Sequence, residues 1–177
     1  MNTKDSVEGT PETQINMDTS QFLTFMLNGE EYGVDILRVQ GIHGWTRATP
    51  IPNTPEHILG VINLRGAIVP IIDLRRHFGL EATSFGPTTV VIIIRVNYQD
   101  SDRVVGMVVD GVSDVYRLAL DVVQPAPEIG GTLNGKFVQG LATVEDKMLI
   151  LLDVDNLVND GLLGDAIEAI PSHAQTH

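Results

Sequence analysis

Two stretches of the chain follow one plan. Residues 58–74 read ILGVINLRGAIVPIIDL, and residues 138–154 read VQGLATVEDKMLILLDV. Gly60 answers to Gly140 and Asp73 to Asp153, each eighty positions on, with no gap between them. In both copies a glycine opens a strand, a polar turn follows, and an apolar strand ends in an aspartate placed to cap a helical turn. An earlier pair, YGVDILRV from Tyr32 and VGMVVDGV from Val105, is a weaker echo. The economical reading is two similar small β units. Units of about 70 residues bury little surface alone, so the two are expected to pack on each other and leave a groove at the seam.

The rest of the chain supports an all-β reading. QFLTFML leads through Asn28-Gly29 into YGVDI, a strong hairpin signal. TTVVIIIRVN is too continuous in apolar, β-branched residues for a one-sided strand, so it belongs at a sheet centre. RVVGMVVDGV reads as a further strand, and GKFVQGLATV and KMLILLDV close the set. Helical signals are short. Thr54-Pro55-Glu56 has the order of a cap, a first-position proline and a first-turn acid. DLRRHFGL starts at a capping Asp73 and stops at Gly79, and LLGDAIEAI is a candidate terminal helix.

Composition narrows the function. Eleven Lys and Arg against 23 Asp and Glu leave a net charge of -12, which argues against nucleic acid and against anionic membrane surfaces. There is no cysteine, so disulfides and thiolate chemistry are excluded. No apolar leader is visible at the N-terminus, and no apolar run approaches the roughly 20 residues of a membrane helix, so a cytoplasmic protein without membrane insertion is expected. The five histidines show no close ligand spacing, and Asp153–Asn156 lacks the glycine and distal glutamate of a calcium loop. Asp73 and Asp153 stand in DLR and DVD, not in the Asp-Thr-Gly of a two-aspartate protease. No phosphate loop or nucleophile elbow occurs, so no catalytic, metal or cofactor residue is expected. What remains is surface. Arg65, alone among apolar neighbours, is either an ordinary solvated turn residue or a guanidinium offered to a partner.

Several motifs taken together resemble one family. FLTFMLNGEEYGVDILRVQGI, IPNTPEHILGVINLRGAIVPIIDLRRHFG, VVGMVVDGVSDV and KMLILLDVDNL are similar to the CheW family of bacterial chemotaxis coupling proteins, over about residues 20–160. The resemblance implies two SH3-like five-stranded β-barrels packed around a shared apolar seam, with a few short helices. The chain would then divide into a disordered tail (1–20), a domain (21–160, with subdomains 21–86 and 87–160), and a short helix with a loose tail (161–177). It implies a non-enzymatic scaffold that bridges the cytoplasmic tip of methyl-accepting chemoreceptors and the regulatory domain of the histidine kinase CheA, recruited to receptor arrays. Receptor contact falls by resemblance on Val39, Gly41, Gly60, Arg65 and Gly66. Kinase or receptor-groove positions fall on Gly106, Val112 and Gly140. One departure stands out: Gly41 occupies a place where many relatives carry an acid, and Trp45 nearby is a candidate apolar substitute. Two other readings are the same module in a twitching or alternative chemosensory pathway, and a small-molecule-binding β-barrel with a closed pocket at the seam.

Overall fold

The computed structural model describes residues 18–80, 85–125 and 137–159. Ten strands carry the fold: β1 (Thr19–Leu27), β2 (Glu30–Asp35), β3 (Val39–Gly44), β4 (Ile58–Leu64), β5 (Ala67–Asp73), β6 (Val90–Tyr98), β7 (Ser101–Val109), β8 (Gly111–Ala119), β9 (Val138–Val144) and β10 (Lys147–Leu152). Two single-turn helices, α1 (Leu74–His77) and α2 (Val154–Leu157), follow β5 and β10. Short 3₁₀ turns lie at Ile36–Arg38 and Leu120–Val122. Of the expected N-terminal tail (1–20), Thr19 and Ser20 belong to β1 and residues 1–17 lie outside the described residues, as does the helix in LLGDAIEAI.

Four hairpins turn on two residues of positive φ: Asn28-Gly29, Arg65-Gly66, Gln99-Asp100 and Glu145-Asp146. Paired positive φ marks the type I′ turn, whose twist matches that of the strands it joins. The turns EDK and YQDSD are therefore tighter than their polar composition alone required.

The strands form two five-stranded sheets, in the orders β8-β1-β2-β10-β9 and β3-β6-β7-β5-β4. In neither does the order close on itself, so the barrel closure implied by the resemblance is not seen among the strands. The repeat is preserved residue by residue. Ile58 faces Ile72 and Gly60 faces Ile71 across a bulge; Val138 faces Leu152 and Gly140 faces Leu151 across the same bulge. The weaker echo is real too: Gly33 lies opposite Leu151 and Gly106 opposite Ile71 in the two parallel ladders.

Sheet membership does not follow the 86/87 division. β3 to β7 are consecutive and make one whole sheet, while β1 and β2 join β8 to β10 across the length of the chain. In that second sheet β1 and β2 hold the places that β6 and β7 hold in the first, so one sheet is a circular permutation of the other. Local pattern cannot reveal this, because a hairpin carries no mark of which sheet it will join.

Three apolar cores result. The largest lies between the sheets and draws Leu23, Phe25 and Val34 from one and Ile92, Ile94 and Met107 from the other. Val69, Ile71, Val91 and Ile93 form a second, and Phe22, Leu118, Leu149 and Leu151 a third. Alternate residues of β6 thus feed two cores, which is why that strand reads as unbroken hydrophobicity. Thr54-Pro55-Glu56 does not start a helix: the Thr54 hydroxyl donates back to the Ile51 carbonyl (2.9 Å), and β4 begins too soon for a helical turn to fit. Asp73 and Asp153 do cap α1 and α2, accepting from the amides of Arg75 and Asn156.

Candidate interaction surfaces

The β4–β5 hairpin ends in Arg65 and Gly66, both exposed, with φ of 54° and 89°. The Asn63 side chain accepts from the Gly66 amide (2.9 Å) and braces the turn. Arg65 makes no ion pair among the described residues. In the second copy Glu145 takes the same place at φ 53°. The two tips therefore offer opposite charges on one backbone geometry.

Val39 and Gly41 lie on β3, at the opposite edge of the same sheet from β4. A bulge separates them, and a side chain added at Gly41 would meet only the ring of His43, at 3.3 Å. The chain after β3 then crosses to β4, where Thr49 and Val61 exchange backbone hydrogen bonds of 2.8 and 2.9 Å. Trp45, on this crossing, stacks flat on Phe85 (4.1 Å between centroids, 9° between planes), so one face of its ring is committed to the fold.

The glycines divide from the arginine in kind. Gly60, Gly106 and Gly140 are all buried. A Cβ at Gly60, whose φ is +140°, would fall 2.1 Å from the Thr49 carbonyl oxygen. At Gly140 it would fall 2.4 Å from Val123 and 2.9 Å from the Gln124 carbonyl, beside the matching bridge of Gln124 to Leu141. At Gly106 it would strike Ile71 and Val91 at 2.6 and 2.8 Å. These residues let neighbouring elements close up and do not themselves reach solvent. Val112 is half-buried against the inter-sheet core, as is Val39.

Sequence reasoning passed over a buried charge cluster. The Arg75 guanidinium is 1% exposed and grips Asp73 through Nε (2.9 Å) and a terminal nitrogen (3.0 Å). It also donates to Asp110 (3.0 Å) and lies over the Phe85 ring (5.3 Å). The hydrogen bond to Asp73 holds the Arg75 pKa above its ordinary value. A cation in the first turn of a helix opposes the helix dipole, and that misfit was the available signal for a carboxylate partner. A second oversight is exposed apolar surface: Leu37 (78%), Met148 (53%) and Val122 (51%). Leu37 borders an open cleft of about 400 Å³ with Thr19, Ser20, Asp35 and Arg117. Val122 and Met148 border another of about 440 Å³ with Asp121, Gln124 and Leu141.

A chain of rings crosses the seam: Phe25 on Tyr32, Tyr32 on Phe78, Phe78 on Phe137, then His77 and His57, whose centroids are 4.8 Å apart. Burial, with the neighbouring His57, pushes the His77 pKa down to about 4. Burial also raises that of Tyr32. Among the described residues no three His, Asp or Glu side chains converge to hold a metal, and no helix is long and apolar enough to cross a membrane. The geometry suits binding through projecting tips, a strand edge and open, largely polar clefts bordered by exposed apolar side chains.

A CheW-like domain family model matches residues 21–161. The chain is 49% identical over 139 residues to a chemotaxis protein CheW of Klebsiella aerogenes, covering 78% of this chain and 81% of that one. To the chemotaxis protein CheW of Bacillus subtilis it is 31% identical, covering 78% and 86%. The crystal structure of the scaffolding protein TtCheW from Thermoanaerobacter tengcongensis superposes with a TM-score of 0.70 at 34% identity, covering 78% of this chain and 86% of that one.

Proposed function

The chain belongs to the CheW family, a non-enzymatic chemotaxis coupling adaptor, and we propose that it bridges the cytoplasmic tip of chemoreceptors and the regulatory domain of the histidine kinase CheA. In this reading each sheet is an SH3-like unit of the family, and the protein is cytoplasmic and drawn to receptor arrays by its partners. The observation that carries the receptor assignment is the pair of hairpin tips. Arg65 and Glu145 share one turn geometry, so the fold places no demand on the arginine. A fork-shaped guanidinium lifted among apolar residues is suited to a partner's carboxylate or carbonyls.

Around it the glycine positions act indirectly. Gly60 sets the approach of the 45–50 crossing, and Gly66 permits the turn. Val39 and Gly41 present the β3 edge, while Val112 borders the inter-sheet core, Gly106 the core formed by Ile71, Val91 and Ile93, and Gly140 the second sheet; in this reading these three serve the kinase side or the receptor groove. Arg65→Ala tests the assignment. The variant is expected to keep its melting temperature and to lower receptor-dependent kinase activation about tenfold, as loss of an arginine hot spot does. Normal kinase control by a folded Arg65→Ala protein removes the role given to this residue.

A further inference from the structure

The chain passes between the sheets twice, through Ile36–Arg38 into β3 and through Asp110 into β8. The residue just before the new strand is a charged one each time, Arg38 and Asp110. Each pairs with the residue two places beyond a helix-capping aspartate of the repeat. Arg75, two after Asp73, donates to Asp110 at 3.0 Å. Asp155, two after Asp153, accepts from Arg38 through both oxygens, one bond at 2.9 Å. The second pair is the first with its charges exchanged.

The correspondence extends further. Asp110 also accepts from the Asn28 amide at the β1–β2 turn (2.8 Å). Asp155 also accepts from the Asn97 amide near the end of β6 (2.8 Å). Each carboxylate thus ties a crossing or its helix to a hairpin of the permuted arrangement. The two pairs differ in the shelter of the guanidinium, 1% exposed at Arg75 and 34% at Arg38, while the carboxylates are alike at 28% for Asp110 and 29% for Asp155. Arg38 also donates to the Arg95 carbonyl on β6 (3.3 Å), the strand that β3 pairs with.

We propose that the two crossings are held by matched ion-pair clamps of opposite polarity, and that the more exposed clamp, Arg38–Asp155, positions β3 and with it Val39 and Gly41 for a partner. The inference rests on the receptor reading above only for the identity of that partner. The clamp itself is a property of this chain. Salt weakens the Arg38–Asp155 clamp, partly exposed on both sides, more than the Arg75–Asp110 clamp, whose guanidinium is buried.

Charge exchange tests this. Arg38→Asp and Asp155→Arg singly place like charges face to face, and the double exchange rebuilds the pair with the polarity of the first clamp. Hydrogen exchange at residues 39–44 is expected to accelerate at least about threefold in each single variant and to return toward the parent rate in the double variant, the coupling expected of contacting charges. The milder Arg38→Gln and Asp155→Asn carry the same test if a reversal prevents folding. Unchanged exchange at β3 in folded single variants overturns the clamp. Binding of a soluble chemoreceptor cytoplasmic fragment is read alongside, with a CheA regulatory-domain fragment as comparison. Weakened receptor-fragment binding, restored by the exchange and not mirrored by the kinase fragment, supports positioning of β3 for the receptor. Altered exchange with receptor binding unmoved, in a protein where Arg65→Ala does weaken it, overturns that positioning role. If Arg65→Ala leaves receptor binding intact, the receptor reading fails, and the exchange data still decide the clamp.

Discussion

At the scale of single residues, exposure separates two kinds of position that the sequence could only name together. Arg65 is exposed and dispensable to the turn, while Gly60 is buried at φ +140° against the Thr49 carbonyl. Gly60→Ala is therefore expected to cost about 2–4 kcal/mol through strain and overpacking, measured by urea unfolding. The same measurement on Arg65→Ala should move by no more than about 0.5 kcal/mol. Arg75 behaves as neither. Its removal would leave the fully buried Asp73 with only the amide of residue 75 and the longer Arg76 contact (3.6 Å), so Arg75→Met is expected to lose about 2–4 kcal/mol even though methionine fits the volume. The setting of Arg65 at an exposed turn was legible from one charge in an apolar stretch. That of Arg75 was not, because its second carboxylate lies 35 residues away.

At the scale of elements, the turns and caps were written locally and the crossings were not. Asn28-Gly29 and the capping Asp73 and Asp153 act within three residues of themselves, and the structure keeps them where the pattern put them. β3 and β8 escaped notice because their apolar alternation is broken, by Gly41 and Gly44 in one and by Ser113 and Asp114 in the other. RVVGMVVDGV, taken as one strand, is cut at Asp110, where the chain changes sheet. Gly66→Ala tests the hairpin as an element. At φ +89° a Cβ is strained, and a loss of about 1–2 kcal/mol is expected with no change in the β4–β5 register, checked by cross-strand nuclear Overhauser contacts.

At the scale of the whole molecule, the two sheets stand or fall together. Cutting between residues 86 and 87 leaves β6 and β7 apart from β3, β4 and β5, so the fragment 87–160 is expected to give an undispersed amide spectrum when expressed alone. A dispersed one would mean that the permuted sheet assembles without its N-terminal strands. The aromatic chain across the seam gives the fold a pH dependence. His77 takes its proton at 6.5 when unfolded and only at about 4 when folded, so the unfolded chain binds more protons between these values. Stability should be full above about pH 6.5 and fall by about 1–3 kcal/mol as pH drops toward 4. His77→Phe should flatten that slope in urea melts at pH 7.5 and 5. The sequence by itself determined the strand-rich class, the repeat with its caps, and the lone arginine at a turn, because each depends on neighbours a few residues apart. Which hairpin joins which sheet, which glycines are spacers, and which distant charges meet were decided only by tertiary structure. Those outcomes follow from burying the seam between two sheets, and seam burial depends on partners that the chain brings together from far along its length.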